Sequence, residues 1–287
     1  MHIEETRVRR LRPDDDYFIR LETDATPHHI GALQLYALGG RPPEEFYPAV
    51  RAHFERKLPA TPLLCRLRHA PLRYDADVWL DLAHCDLDRH IERIETDHPL
   101  SRAELHALVD EHVVERLDLS LPPFKLYVID RVEDDRAAIF MMVHHSVGDG
   151  LSFQNIMALL TDDTPTPRHG APARLRDERA PLAPIWLLRS ALRFRREARE
   201  EAAHATERAR AREAFRAFRK DPAKARAETP RLAMARKTSG RRRYLSMSLP
   251  LDRIQRAARS LGGTVNDVFL ATAAGALRQA LIDADDL

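Results

Sequence analysis

Two adjacent histidines, His144 and His145, are followed by Ser146, Val147, Gly148, Asp149 and Gly150. Imidazole is the side chain whose ordinary pKa best suits proton transfer near neutral pH, so a histidine pair beside a carboxylate is a candidate acid–base site. With this chain's His, Asp and Gly content, the spacing HHxxxDG would arise by chance about two times in a thousand. The flanks fit the chemistry. An apolar run, residues 137–143, delivers the histidines, Gly-Asp-Gly reads as a turn, and residues 151–160 (LSFQNIMALL) read as a helix. Reactive side chains are commonly carried where a regular element gives way to a loop. The plainer account is a satisfied histidine pair capping a strand, with Asp149 an ordinary turn residue.

Successive side chains of a strand point to opposite faces. If the strand persists, His144 and His145 cannot both enter one cavity; one is free for chemistry and the other packs. Parity alone leaves open which. Asp149 could accept a hydrogen bond or ion pair that fixes the turn, while Gly148 and Gly150 permit backbone angles and close approaches that a side chain would block. Ser146 and Ser152 flank the motif, but turn and cap roles suit them better than nucleophilic attack. The two histidines and Asp149 could instead ligate a divalent metal; the divergence of adjacent strand residues argues against it, and no metal is expected.

The elements that must position this motif can be read from periodicity. Residues 30–38 predict a strand that stops at Gly39 and Gly40. Residues 43–57 predict a helix, with Glu44 and Glu45 early and Arg56 and Lys57 late, as the helix dipole prefers. Residues 65–69 and 78–82 predict short strands. Residues 101–117 predict a helix capped by Ser101 with Glu104 three residues on, and Leu105, Leu108, Val109, Val113 and Leu117 keep helical spacing. Residues 124–131 and 137–144 predict a hairpin. Its second strand is apolar on both faces and is therefore expected to be central and buried.

From Thr161 the composition changes. Prolines recur through residues 164–184, a linker or crossover, and residues 186–226 are rich in Arg, Ala and Glu, which predicts helix. Ile185, Leu188 and Leu192 form one apolar stripe, Phe215 and Phe218 another. Either this is a solvated helix laid on the domain, or an arginine-rich amphipathic helix whose Trp186, Leu188 and Leu192 meet a lipid surface. Residues 244–249 predict a strand and 250–260 a helix. Asn266 and Asp267 then sit in a turn leading a helix over 268–284, where such residues serve as caps. The expected divisions are a first lobe over residues 1–160, a crossover and helical linker over 161–240, and the beginning of a second, C-terminal lobe over 241–287.

Composition bounds the alternatives. The chain has 287 residues, 46 Lys and Arg against 44 Asp and Glu, and a net charge of +2. That balance gives no global basic signal for nucleic acid. Cys65 and Cys85 are isolated and read as thiols of a reducing compartment. Residues 1–20 carry charges throughout and lack the apolar core of a signal peptide, and the longest apolar run is too short to span a bilayer. The expectation is a cytoplasmic protein, soluble or peripheral on the inner membrane or lipid inclusions.

The motif resembles the HHxxxDG signature of the CoA-dependent acyltransferase superfamily, which includes chloramphenicol acetyltransferase, plant acyltransferases and peptide-synthetase condensation domains. Three further blocks resemble the bacterial wax ester synthase/diacylglycerol acyltransferase family within it. The first is Leu11-Arg12-Pro13-Asp14-Asp15-Asp16-Tyr17-Phe18 with Glu22 and Pro27-His28-His29-Ile30-Gly31. The second is Val78-Trp79-Leu80-Asp81 with Asp86-Leu87-Asp88-Arg89-His90-Ile91. The third is Gly263-Thr264-Val265-Asn266-Asp267-Val268 followed by Ala274-Gly275-Ala276-Leu277-Arg278. Where that family usually carries Pro-Leu-Trp, this chain has Leu121-Pro122-Pro123-Phe124.

The resemblance implies a mixed-sheet, two-layer α/β sandwich of the chloramphenicol acetyltransferase-like type. It implies O-acyl transfer from acyl-CoA, a co-substrate rather than a bound cofactor, to diacylglycerol or a long-chain alcohol. By the same resemblance His145 is the general base, Asp149 an ion-pair member that holds the turn, and Asn266, beside Asp267, a candidate oxyanion donor. Another acyl acceptor, or a noncatalytic lobe that binds lipid or a partner, are the competing readings. Family members carry a second lobe as large as the first, so this chain is expected to be truncated there or to work with a separately encoded second lobe. Apolar surface on Val268, Phe269, Leu270 and Leu277 should then lie partly exposed. Purified residues 1–287 are expected to cleave palmitoyl-CoA in the presence of diolein far below a normal enzymatic rate; full turnover with no added partner overturns this.

Overall fold

In the computed structural model the described residues are 8–148, 150–162, 164, 177–203, 205–220 and 239–285. Asp149 therefore lies outside them, as do residues 221–226 of the anticipated Arg-rich helix. The chain forms two compact units: residues 1–204 with Gly240–Tyr244, and Ala205–Ser239 with Leu245–Leu287.

The first unit is built on two sheets. In the larger, β2 (His29–Ala37), β7 (Arg136–His144), β6 (Phe124–Val132) and β5 (Ile91–Ile94) lie in the order β2-β7-β6-β5. β7 is antiparallel to both neighbours, and β5 runs parallel to β6, which makes the sheet mixed. The anticipated hairpin is present, and Ala137 through His144 are all buried. Alternation along β7 splits the core. Ile139, Met141 and Val143 pack with Val50 and Phe54 of α2 (Phe46–Lys57) and Ile156 and Leu160 of α4 (Gly150–Leu160). Ala138, Phe140 and Met142 pack on the other face with Leu105 and Val109 of α3 (Arg102–His112). The mixed α/β architecture implied by the resemblance is thus present.

The capping box on α3 forms as its sequence predicts, with Ser101 Oγ accepting from Glu104 N–H and the Glu104 carboxylate accepting from Ser101 N–H. The helix ends at His112, however, not at 117. Beyond it the chain turns so that the Leu119 carbonyl accepts a hydrogen bond from Leu67 N–H at 2.7 Å, a tertiary bond that helical spacing cannot announce. Val113 and Leu117 still pack on the core.

The smaller sheet is antiparallel, in the order β1-β4-β3, from β1 (Arg9–Arg10), β4 (Val78–Asp81) and β3 (Cys65–Arg68). α1 (Pro13–Leu21) follows β1; Pro13 suits a first turn because its missing N–H has no intrahelical partner there. α5 (Ala183–Ala203) is latched to this sheet. Trp186 is buried with Ala70, Val78 and Leu80. Four residues on, Ser190 Oγ donates to the Asp75 carboxylate at 2.5 Å, which also accepts from Arg10 at 2.5 Å and from Arg193. Trp186 therefore belongs to the core, and not to the exposed stripe with which it was grouped. Ile185, Leu188 and Leu192 lie outward. At 100° per residue they fall within about 60° of one another, on the side away from Trp186 and Ser190.

The second unit contains α6 (Ala205–Lys220), α7 (Leu251–Ser260) and α8 (Val265–Asp283). Residues 244–249, expected as a strand, form none. A strand needs a partner to satisfy its backbone, and no described strand pairs with them; Leu245, Met247 and Leu249 are exposed. In α8, Phe269, Leu270 and Leu277 are also exposed, and Val268 is half-buried.

Asp75→Ala should cost about 2–3 kcal/mol, the scale of lost charge-assisted hydrogen bonds, and should free α5. Urea unfolding monitored by Trp186 fluorescence, with limited proteolysis inside α5, checks both effects.

Candidate active site

β7 ends at His144, and His145–Val147 form a single 3-10 turn. Strand parity therefore stops one residue before His145, and the two imidazoles part by a change of backbone as well as by alternation. His144 N–H donates to the Pro123 carbonyl at 3.0 Å and His145 N–H to the His28 carbonyl at 2.9 Å. The motif is thus held at both shoulders, by the approach to β6 and by the approach to β2. Gly148 fits closely against α4: a Cβ there would lie 2.4 Å from Ser152 Cβ. At Gly150 a Cβ would meet nothing within 4 Å, so only the first glycine is needed for a close approach.

The imidazoles have different surroundings. The His144 side chain is fully buried. Its Nδ1 lies 2.6 Å from Ser146 Oγ and accepts from Ser146 N–H at 3.1 Å; its Nε2 is 3.5 Å from Glu22 Oε1. His145 is half-buried and its ring stacks on Phe18 of α1, with centroids 3.9 Å apart and planes at 22°. The Nδ1 of His145 is buried without a hydrogen-bond partner. His145 lines a cavity of about 470 Å³ with Arg12, Phe18, Trp79, Gly148 and Ser152. His144 is not among the residues that line it.

Glu22 belongs to the first of the family-like blocks, and periodicity gives no sign of its burial. Its side chain is 2% exposed. Oε1 accepts from His28 N–H at 3.0 Å and Oε2 from Arg116 at 3.1 Å. Burial alone would raise the carboxyl pKa. The His144 imidazole, the His28 N–H and the Arg116 guanidinium outweigh that, and bring it from 4.5 down to about 2. Phe18 and Trp79, from the first and second of those blocks, are also walls of the cavity. Hydrophobic residues there read equally well as core, and Trp79 does pack with Leu11 and Cys65.

Asn266 and Asp267 belong to the second unit. They stand inside the first turn of α8 and not ahead of it, because Thr264 is the N-cap. Asp267 Oδ2 accepts from Thr264 N–H at 2.7 Å and from Thr264 Oγ1 at 2.8 Å, and the first of these bonds leads in lowering its pKa. The Asp267 carboxylate is thus engaged in a capping box, and Asn266 beside it is exposed. Burial pushes the Cys65 thiol up to about 12 and the Cys85 thiol to about 11, so neither is a ready nucleophile near neutral pH. Among the described residues no group of three or more His, Cys, Asp or Glu side chains is arranged to hold a metal ion.

Residues 11–269 match the family described as the wax ester synthase/diacylglycerol acyltransferase catalytic domain. The chain belongs to this family. The wax ester synthase/diacylglycerol acyltransferase from Marinobacter aquaeolei VT8 superposes with a TM-score of 0.62 at 29% identity, over 97% of this chain and 62% of that one. The O-acyltransferase WSD of Acinetobacter baylyi is 25% identical over 292 aligned residues, covering 98% of this chain and 61% of that protein. A Mycobacterium tuberculosis H37Rv protein provisionally named as a diacylglycerol O-acyltransferase is 28% identical, over 96% of this chain and 59% of its own length. The chain spans about three fifths of the length of these members of the wax ester synthase/diacylglycerol acyltransferase family.

The depressed Glu22 pKa makes a signed prediction. Its stabilisation is fully present above the ordinary value of 4.5 and is lost as pH falls toward about 2. Glu22→Gln should be less stable than wild type at pH 7 but should lose less further stability between pH 5 and pH 3, as read from urea midpoints. Parallel acid limbs in the two proteins contradict this.

Proposed function

We propose that this chain carries the histidine-bearing part of an O-acyltransferase that moves a fatty acyl group from acyl-CoA to diacylglycerol or a long-chain alcohol. His145 is the general base. The observation that carries the assignment is the difference between the two imidazoles: His145 lines a cavity, while His144 is fully buried between Ser146 and Glu22.

In this reading His145 Nε2 takes the proton of the acceptor hydroxyl as its oxygen attacks the thioester carbonyl carbon. The carbonyl oxygen becomes the oxyanion of a tetrahedral intermediate, which a positioned donor must stabilise; the Asn266 amide is our candidate. The intermediate collapses, the carbon–sulfur bond breaks, and the imidazolium returns its proton to the leaving thiolate. The ester and free CoA leave with His145 neutral again. No covalent enzyme intermediate is required, in keeping with two thiols whose pKa values are raised by burial. Acyl-CoA is a co-substrate, and no permanently bound cofactor is invoked.

Substrates of this class partition into lipid, and we assign the outward stripe of α5 to a peripheral lipid surface. Ile185, Leu188 and Leu192 are exposed there beside Arg189, Arg195 and Arg199, the pattern of an interfacial amphipathic helix. No described helix is long and apolar enough to cross a membrane.

In a catalytically complete form, His145→Ala should lower acyl transfer about a hundred- to ten-thousand-fold, while His144→Ala should lose less activity and mainly destabilise the fold. Thioester cleavage with palmitoyl-CoA and diolein measures the first effect and thermal unfolding the second; an unimpaired His145→Ala enzyme refutes the assignment. Separately, the protein should cofloat with anionic phosphatidylglycerol vesicles in a salt-sensitive manner. Ile185→Ser/Leu188→Ser/Leu192→Ser should abolish cofloatation without loss of fold.

A further inference from the structure

Two hydrogen-bond donors converge on one buried carboxylate behind the histidine pair, His28 N–H at 3.0 Å and Arg116 Nη2 at 3.1 Å. His144 Nε2 faces the same carboxylate 3.5 Å from Oε1, within ion-pair reach and with no hydrogen-bond partner of its own. On the far side of the His144 ring, Ser146 presents its backbone N–H 3.1 Å from Nδ1. A backbone N–H can only donate, so Nδ1 must carry its lone pair. Neutral His144 then bears its proton on Nε2, facing Glu22. The opposite tautomer could give its Nδ1–H to Ser146 Oγ, 2.6 Å away, but it would forfeit the Ser146 N–H bond and aim the Nε2 lone pair at a carboxylate.

We infer that Glu22 is a positioning residue that holds His144 in the Nε2–H tautomer and thereby fixes the turn presenting His145. Two routes lead from this carboxylate to His145. One passes through the His144 ring to Ser146, the middle residue of the 3-10 turn that begins at His145. The other passes through His28, whose N–H donates to Glu22 and whose carbonyl accepts from His145 N–H. His28 Nδ1 also lies 2.8 Å from the carbonyl of Phe18, the residue on which the His145 ring stacks. The floor, backbone and stacking partner of His145 are thus referred to one negative charge, which Arg116 balances from the other side.

Only a carboxylate satisfies this arrangement. Glutamine offers one acceptor oxygen and one NH₂ group. Glu22→Gln sets its NH₂ either against Arg116 or against His28 N–H and His144 Nε2, and in the second orientation the clash with His144 is relieved if its proton moves to Nδ1. Glu22→Asp keeps the charge.

The catalytic consequence rests on the acyl-transfer reading above; the tautomer does not, and the experiment separates them. In wild-type chain labelled with ¹⁵N at histidine, two-bond ¹H–¹⁵N correlation at neutral pH should show His144, assigned by its loss in His144→Asn, with Nε2 protonated and Nδ1 unprotonated. Glu22→Gln should move a measurable fraction to the Nδ1–H form, and Glu22→Asp should retain the wild-type pattern. In thioester cleavage by a catalytically complete form, Glu22→Gln should lower kcat about 10- to 100-fold, the scale seen when an outer partner of a functional histidine is lost, with KM little changed and partial recovery in Glu22→Asp. A wild-type His144 protonated on Nδ1 overturns the proposal whether or not any variant folds. So does a folded Glu22→Gln protein with unchanged His144 nitrogens and unchanged kcat. If His145→Ala remains active while the His144 pattern is as expected, the acyl-transfer reading fails and the tautomer assignment survives.

Discussion

Everything in the first unit is arranged around a strand that has no polar face. β7 is buried from Ala137 to His144, so its backbone must be hydrogen-bonded on both edges and its side chains covered on both sides. β2 and β6 supply the edges; α2 and α4 cover one face and α3 the other. Once that demand is met, the end of the strand emerges at a fixed place, between the approach to β2 and the approach to β6. The histidine pair sits at that end: the packing of apolar neighbours brings it there, and its own bonds to Pro123, His28 and Ser146 hold it.

The cost of this placement is polar. Delivering two imidazoles on a buried strand strands one of them in the interior, where an unpaired polar ring is expensive. His144 is accommodated by Ser146 and by a carboxylate that is itself buried, and that carboxylate in turn needs Arg116 and the His28 amide. Buried ionic clusters of this kind contribute little net stability compared with apolar packing, but leave few alternative arrangements. His145, one residue on, has an aromatic floor in Phe18 and an open side. A single change of backbone from strand to 3-10 turn thus separates a packed histidine from an available one.

A second cluster repeats the device on a structural task. Asp75, buried beside the smaller sheet, gathers Arg10, Arg193 and Ser190, and Trp186 fills the apolar space next to it. The helix after the proline-rich crossover is bound to the domain by one face, which turns its Ile185, Leu188 and Leu192 stripe outward. The charge that decorates this helix in the sequence therefore has two destinations: Arg193 is used internally, while Arg189, Arg195 and Arg199 are exposed.

Local chemistry made a good part of this legible in advance. The apolar run before His144 announced a central strand, Ser101 and Glu104 announced a capping box, and the HHxxxDG spacing announced a strand–turn–helix site, because each depends on residues within a few positions of one another. The family, too, was legible, from short blocks whose residues stay together in the chain. What local chemistry could not supply were the events that join distant residues. Glu22 becomes a buried carboxylate only when α1, β2 and Arg116 meet. Helix α3 stops at His112, and the chain beyond it is bonded through Leu119 to Leu67 of β3. Trp186 is core and its neighbours Leu188 and Leu192 are surface because Asp75, more than a hundred residues earlier, takes hold of Ser190. Residues 244–249 have strand composition and no strand, since a β-strand is a property of a pair. The sequence determined which elements form and where a histidine pair would be delivered. Which imidazole faces a cavity, and which charge stands behind the other, was decided by tertiary structure, because burial and hydrogen-bond partnership belong to the assembled fold and to no segment of it.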